Sequence, residues 1–449
     1  GDPYNNQTDN YKQTHYQLFY NKNINSNWKW NTAFYLTTGK GYYEEYKAGV
    51  NFSDYNIDIK GKQNVPADLV RRRWLDNHFY GQIAALSYVD SLNDLTIGGG
   101  WSVYDGLHFG TLPYLNIQFA PERFRYYDND ALKKEMNSYV KWERKLTKQF
   151  RSFIDLQYRY VSHQMNGFTK NTNLEIERKF NFFNPKMGLT YKAKNIFYYT
   201  SVAVANKEPN RDDFEASATE QPRREQLIDW ETGFEFKKPK YAINANVYYM
   251  DYKDQLVLTG KINDVGAYTR INVPKSYRAG IELQLKYALN KKYNTSYSIT
   301  FSQNKIKEFT EYIDDYDTYT QVAIQHRNTS IALSPTLTTN RNCHCKPNDK
   351  LSFFWTTKYT SKQFLDNTQN KDRILDAYFI NDINAHWTIL NKPKFNMLLQ
   401  LYANNILNVQ YAPNGYTYSY IYDGSVTTSN NYYPMAGRNY WVSIKIDLK

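Results

Sequence analysis

Asn430–Lys449 reads NNYYPMAGRNYWVSIKIDLK, and from Tyr440 onward its side chains alternate in character. Tyr440, Val442, Ile444, Ile446 and Leu448 fall on one face. Trp441, Ser443, Lys445, Asp447 and Lys449 fall on the other. Successive residues of a strand point to opposite sides, so this is a strand with one apolar and one wet face. At about ten residues it is long enough to cross a bilayer when tilted. Lipid would lie on one side and a water-filled lumen on the other.

The same unit recurs backwards through the chain: strand, short turn, strand, long polar connection. Tyr11–Tyr20 leads through Asn21–Asn27 into Trp28–Thr38, where Trp28, Trp30, Phe34 and Leu36 share a face. In Phe150–Tyr160, Ile154, Leu156, Tyr158 and Tyr160 alternate with Asp155, Gln157 and Arg159. In Tyr241–Asp251, Ile243, Ala245, Val247 and Tyr249 oppose Asn244, Asn246 and Tyr248. Short turns are expected at Asp90–Asp94, Lys145–Gln149, Ala193–Asn195, Lys237–Lys240, Ala288–Asn294, Asn340–Lys350 and Leu390–Lys394. Long loops are expected near Gly39–Val70, Leu107–Leu132 and Asn408–Gly437. Sorting of connections by length, brief on one rim and extended on the other, is the habit of outer-membrane barrels. A soluble sandwich has no reason to sort its loops this way.

The fold class expected is therefore all-β, an antiparallel transmembrane β-barrel over 1–449, with short periplasmic turns and long extracellular loops. About 17 strands can be counted from alternation and turns. If the first connection is a short periplasmic turn, the first and last strands run the same way and cannot close an antiparallel barrel. Bacterial single-chain barrels carry even strand numbers. The expectation is that further strands precede Gly1, five of them giving about 22, the size of the plugged outer-membrane transporters.

Composition agrees. Aromatic residues make up 17% of the 449, with 44 tyrosines, a residue suited to strands and to membrane interfaces. No run approaches the roughly 18 apolar residues of a transmembrane helix, and strands need none. The charge of +12 comes from scattered Lys and Arg without a nucleic-acid-binding module, so nucleic acid is not expected as a partner. A basic lumen and rims facing anionic lipid or lipopolysaccharide account for it.

Several stretches carry a resemblance. NKEPNRDDF (Asn206–Phe214), MDYKDQLVLTG (Met250–Gly260), SYRAGIEL (Ser276–Leu283), LYANNILNVQYAPNGYTYSY (Leu401–Tyr420) and YYPMAGRNYWVSIKI (Tyr432–Ile446) resemble the C-terminal part of the barrel of TonB-dependent receptors, Bacteroidetes type. The resemblance implies an outer-membrane active transporter, not an enzyme and without a resident cofactor. Its cargo would be an iron-siderophore, haem, cobalamin or an oligosaccharide. It implies a plug and TonB box upstream of Gly1, the TonB-ExbB-ExbD complex as energy source, and a surface lipoprotein as a further partner. The alternatives from the residues alone are a passive channel, a soluble carbohydrate-binding β protein and a barrel enzyme; for the last no catalytic constellation can be assembled.

Candidate ligand-binding residues follow. Loop tyrosines Tyr42, Tyr43, Tyr46, Tyr416, Tyr418, Tyr420 and Tyr422 would stack on flat cargo and offer hydroxyls, or else form an interface girdle. Arg211, with Asp212 and Asp213, sits at a loop start, able to contact cargo or to knot the rim. His108, His163 and His326 read as loop positions; a haem importer would use one or two as iron ligands, and solvated histidines are the plainer reading. Cys343-His344-Cys345 offers an incomplete ligand set on a turn, short of the four that structural zinc takes. Gly98-Gly99-Gly100 points to a bulge or a close approach at the wall.

Overall fold

In a computed structural model of the chain, residues 4–5, 7–57, 66–115, 124–168, 173–215, 221–262 and 268–448 are described. They fall into two compact units: Gly1–Arg144, Phe153–Pro185 and Asn210–Gln221 in the first, and Lys145–Ser152, Lys186–Pro209 and Pro222–Lys449 in the second.

The first unit carries β1 (Thr8–Asn23), β2 (Trp28–Val50), β3 (Ala67–Val89), β4 (Asn93–Leu115) and most of β5 (Arg125–Lys145). Each pairs antiparallel with the next. A short helix, α1 (Arg211–Glu215), belongs to it as well. β6 (Phe150–Asn166) and β7 (Glu175–Ala193) contribute residues to both units.

The second unit continues with β8 (Ile196–Lys207), β9 (Glu225–Lys237), β10 (Tyr241–Ile262), β11 (Tyr268–Ala288) and β12 (Tyr293–Asp315). The inner part of β12 pairs with β14 (Leu337–Asn348), and its outer part with β13 (Thr320–Ser330). Then come β15 (Leu351–Thr360), the small pair β16 (Gln363–Phe364) and β17 (Ile374–Leu375), β18 (Tyr378–Lys392) and β19 (Phe395–Asn404). A hairpin of β20 (Asn414–Tyr422) and β21 (Ser425–Tyr433) precedes β22 (Asn439–Leu448), which pairs with β19. Taking β13 and β14 as two parts of one strand, and setting aside the β16–β17 and β20–β21 pairs, seventeen wall strands are described.

The apolar face lies open. On β22, Val442 is 69% and Ile444 57% exposed, and on β10 Ile243 and Tyr249 are 40% and 45% exposed. A two-sheet soluble protein would cover those side chains. Their exposure removes that alternative and fits a face solvated by lipid. The register carries the pattern across strands, with Val442 opposite Leu401 and Ile444 opposite Leu399.

On the wet face, tyrosines meet glycines. Tyr35 lies opposite Gly81, Gly98 opposite Tyr139, Tyr199 opposite Gly233 and Tyr248 opposite Gly280. A Cβ on Gly233 would fall 2.1 Å from the Tyr199 ring, so only glycine admits the ring there. The ring covers backbone the glycine leaves bare. Gly98-Gly99-Gly100 is thus a close approach, and the register runs through it without a bulge.

The short turns share one device. Asn25, Asp90, Thr147, Asn290 and Asn348 each accept, through a side-chain oxygen, the backbone N–H groups two and three residues on. Side chains of this kind mimic a backbone turn and fix it locally. The N–H groups of Leu92 and Asn93 hold the Asp90 carboxyl down at about 2.

The expected long loops are corrected. Most of the described residues of Gly39–Val70 are strand, since β2 runs to Val50 and β3 begins at Ala67, and β4 and β5 likewise occupy much of Leu107–Leu132. Asn408–Gly437 holds β20–β21, and Asn340–Lys350 is mostly β14, its turn lying only between Asn348 and Leu351. Beyond the bilayer both faces of a strand are wet, so the ladder continues while the apolar alternation that reveals it stops. The buried clusters sit in these outer extensions. One gathers Phe52, Tyr55, Ile57, Leu69, Tyr126 and Tyr127; another gathers Val257, Val273, Ile306, Phe309 and Ile331.

Candidate cargo-binding surface

Tyr416, Tyr418, Tyr420 and Tyr422 occupy alternate positions of β20, so all four rings share one face of the hairpin. Tyr418 and Tyr420 stack at 6.4 Å and 20°, and Tyr416 meets Tyr433 of β21 at 5.9 Å. Tyr422 is 64% exposed. Facing Tyr418, Tyr420 and Tyr422 in register are Ser429, Thr427 and Ser425, side chains too short to cover the rings, and Tyr416 faces Asn431. The opposite face is closed: Thr417 and Ser419 are buried, bonded to Asn430 at 2.7 Å and Thr428 at 2.8 Å.

The hairpin is latched to the tip of β12–β13. The turn residues Asp423 and Gly424 both take positive φ, as the tight hairpin turn for Asp-Gly requires. Their N–H groups donate to the two carboxylate oxygens of Asp317, 2.8 Å each. The N–H of Tyr316 donates to the Ile421 carbonyl at 3.0 Å, and the Tyr316 ring meets Tyr420 edge-on at 5.7 Å. Tyr319, at the same tip, is 89% exposed.

A charged network supports this region. Arg373 donates to Glu311 at 2.6 Å and to Asp366 at 2.7 Å, all three side chains being largely buried. Burial opposes the Arg373 charge, and the two carboxylate bonds outweigh it, so its pKa stands above the ordinary value. His326 bonds the other Glu311 oxygen at 2.9 Å and stacks on Phe309 at 5.1 Å. Neighbouring Asp372 accepts a bond from Asn430 of β21 through its carbonyl, 2.7 Å. His326 therefore lies within β13 as a framework partner. Arg373, Glu311 and Asp366 carried no motif; charged residues scattered along separate segments give no signal until the fold gathers them.

The tyrosines of β2 do not make one surface. The register from Trp28 to Lys47 is unbroken, so Tyr42 and Tyr46 share the face of Trp30 and Phe34, and Tyr43 takes the other. Tyr42 belongs to an aromatic ladder across three strands: it lies 4.6 Å from Trp74, which stacks on Phe109 at 5.7 Å. Arg72 caps one end at 4.4 Å and Arg125 the other at 3.7 Å. Tyr46 pairs with Tyr4 at 6.2 Å.

His163 and Arg211 come together in the first unit, around Phe168 and Phe214. His163 is buried in β6 with its ring 6.3 Å from Phe214. The Arg211 guanidinium lies 4.9 Å over Phe168 and donates to the Gly167 carbonyl at 3.1 Å. Asn210 and Asp213 exchange side-chain-to-backbone bonds of 3.0 and 2.8 Å, a reciprocal cap that seats α1. Both residues thus sit in a packed cluster, with His163 on a strand and not in the loop expected. His108 is on β4, where burial first and then Arg211 push its pKa down to about 4, so it is neutral at pH 7.

Cys343 and Cys345 lie in register with Trp355 and Phe353 on the apolar face, whereas His344 stacks on Phe354 at 4.6 Å on the other. Alternation separates the three side chains. Among the described residues no three His, Cys, Asp or Glu side chains gather as a metal site would need.

The family model for TonB dependent receptor-like β-barrels matches residues 1–406. The chain belongs to this family. A comparison with curated proteins gave no match. Among solved structures, the chain is similar to the copper transporter OprC, at TM-score 0.70 and 13% identity over 97% of this chain and 65% of that one. It is similar to the siderophore receptor PiuA from Acinetobacter baumannii, at 0.67 and 14% over 98% and 65%. The ferric-catecholate import receptor Fiu from E. coli K12 follows at 0.63 and 13% over 97% and 64%. The chain spans just under two thirds of these receptors. The TonB-dependent receptor chain is an outer-membrane β-barrel of Gram-negative type.

Proposed function

We propose that this TonB-dependent receptor chain is the barrel portion of an active importer, and that the tyrosine face of β20–β21 is where cargo first docks. The observation that carries the docking assignment is the row Tyr416–Tyr422 on one face, with Tyr418 and Tyr422 exposed, Tyr416 and Tyr420 half-buried and the hairpin braced from behind. Flat rings with wet hydroxyls suit an iron chelate, haem or a sugar ring. The solved structures named above are a ferric-catecholate import receptor, a siderophore receptor and a copper transporter, which makes iron chelates the first cargo to try, ahead of haem, cobalamin and oligosaccharides. The barrel performs no covalent chemistry in this reading. Energy would come from the TonB-ExbB-ExbD complex acting on segments outside these 449 residues, and a surface lipoprotein would serve as a lid. The test is growth of a receptor-deletion strain on each cargo as sole source, complemented with the full-length receptor or with its Tyr418→Ala/Tyr422→Ala variant. Growth restored by the native receptor and not by the variant supports the reading. Equal growth with both removes the docking role, and uptake insensitive to TonB removes the active-import role.

A further inference from the structure

The short periplasmic turns of the second unit are rich in lysine. Lys145–Gln149 reads KLTKQ, Lys192–Asn195 KAKN, Lys237–Lys240 KKPK, Asn290–Lys292 NKK, Lys346–Lys350 KPNDK and Lys392–Lys394 KPK. Together they hold thirteen lysines and one acid, a surplus equal to the whole net charge of +12, so the rest of the chain is balanced. The six turns lie side by side, because a backbone bond ties each to the next hairpin. The N–H of Lys192 donates to the Gln149 carbonyl and that of Lys237 to Asn195, both at 2.9 Å. Ala288 donates to Lys240, Lys346 to Lys292 and Thr388 to Lys350, each at 2.7 Å. Strands stand about 4.8 Å apart, so a turn recurs about every 10 Å and the row runs about 50 Å along the wall.

Little of this charge is neutralised. Lys346 bridges Asp349 at 3.3 Å, and Lys238 lies 5.5 and 5.9 Å over the Phe236 and Tyr241 rings. Lys194, Lys237, Lys240, Lys292, Lys350 and Lys394 are exposed, and among the described residues no carboxylate pairs with them. Glu235 and Asp447 stand on the wet face just above, where Lys445 takes Asp447 at 3.3 Å. A spacing of about 10 Å is close to the screening length of about 8 Å in physiological salt, so the fields of neighbouring turns merge into one positive strip.

The strip is turned from the lipid. Phe236, Tyr241, Tyr287, Tyr293, Leu351 and Trp387 fill the outward positions beside these turns, in register with the exposed apolar face. Where the lysines still belong to a ladder, Lys192 lies opposite Phe197 and Lys237 opposite Ala242, on the wet face. Lys392, opposite Phe395, takes the outward one. No aromatic side chain occurs within the six turns. A folded protein partner needs aromatic or arginine anchors seated in pockets. A repeating polyanion needs only charges at a matching interval.

We propose that this edge of the second unit is a docking strip for the cell-wall polymer of the periplasm, peptidoglycan, whose peptide stems carry carboxylates along an extended glycan. A compact anion would touch one or two turns; an extended polymer reaches all six. The side-chain bonds of Thr147, Asn290 and Asn348 already fix the turn backbone, so contact orders lysine side chains alone. This rests on the outer-membrane placement and is independent of cargo or energy coupling.

The test sediments the full-length receptor, purified from outer membranes in detergent, with protease-treated peptidoglycan sacculi. The expected result is saturable retention that is lost at high salt. Lys237→Gln/Lys240→Gln/Lys292→Gln should weaken it by about tenfold, three exposed charge contacts being removed. Lys253→Gln/Lys275→Gln/Lys307→Gln removes the same charge from exposed lysines further along the strands and should leave retention unchanged. Sacculi with amidated carboxylates should hold the native receptor as weakly as untreated sacculi hold the turn variant. Soluble muropeptides should release the native receptor at a lower anionic-group concentration than polyglutamate or phosphatidylglycerol micelles. All six substitutions are in exposed side chains, and circular dichroism should report native strand content. Equal retention of the native receptor and the turn variant overturns the proposal, as does retention that survives amidation of the sacculi. Earlier release by polyglutamate or by the micelles also overturns it, giving the strip to an acidic protein or to lipid. Cargo uptake measured alongside reports on the import reading separately.

Discussion

The β20 and β2 tyrosines make an instructive pair. Both regions are strands in outer extensions, both are rich in tyrosine, and both looked alike as sequence. On β20 the spacing is two throughout, so four rings share one face and their supports lie behind it. On β2 the positions are 42, 43 and 46, so one ring is parted from the other two, and Tyr42 is already committed to Trp74. The difference is parity. A pleated strand turns even spacing into a surface and odd spacing into two unrelated contacts.

The sharpest way to break the contrast is to remove what braces β20–β21. Arg373→Met leaves Glu311 and Asp366 buried without their cation, which should cost about 3–5 kcal/mol. Amide exchange should rise across residues 414–433 and stay unchanged across 28–50. Protection that holds in both regions would mean the network carries no load. Next in size, Tyr418→Ala/Tyr422→Ala should weaken cargo binding by about a hundredfold, taking each stacked ring as worth about 1.4 kcal/mol. Isothermal titration would show this, and an unchanged affinity would make the two regions equivalent.

A smaller effect concerns acid. His108 has its pKa depressed by burial to about 4, against about 6.5 for an unfolded histidine. Its neutral form is the one the fold accepts. The stability this region shows above pH 6.5 should fall progressively toward pH 4, by on the order of 2 kcal/mol. His108→Phe should flatten that slope, as read by exchange of the β4 amides at pH 5 and 7. An identical slope in the variant would assign the acid sensitivity elsewhere. Smallest of all, Tyr43→Ala removes an exposed ring whose bond to Gln7 is 3.3 Å long. It should change cargo affinity by less than about 0.5 kcal/mol. A larger loss would bring β2 into the docking surface.

The wall was legible because lipid imposes a rule on every second residue, and Tyr440–Leu448 displays that rule fully exposed. The strand count of about 17 agrees with the wall for the same reason. Above the bilayer the rule lapses. Gly39–Val70 and Leu107–Leu132 read as loops although β2 through β5 continue well into both, because their hydrogen bonds leave no mark on residue type. The histidines failed for a related reason: His163 is buried among Phe180 and Phe214, partners that approach only once β6, β7 and α1 are in place. The abundance of tyrosine points to strands and an interface belt, yet part of it covers glycines on the wet face, a pairing visible only in register.

The ladder between Ala403–Tyr440 and Phe395–Leu448 runs without interruption although β20–β21 lies between those two strands in the chain. The hairpin is therefore a cassette: its strands pair with each other, and two residues of β12 are its further ladder contact among the described residues. Such a piece can be exchanged between receptors while the wall keeps its alignment. Swapping residues 414–433 should move recognition from one receptor to another without asking the membrane-spanning part to change.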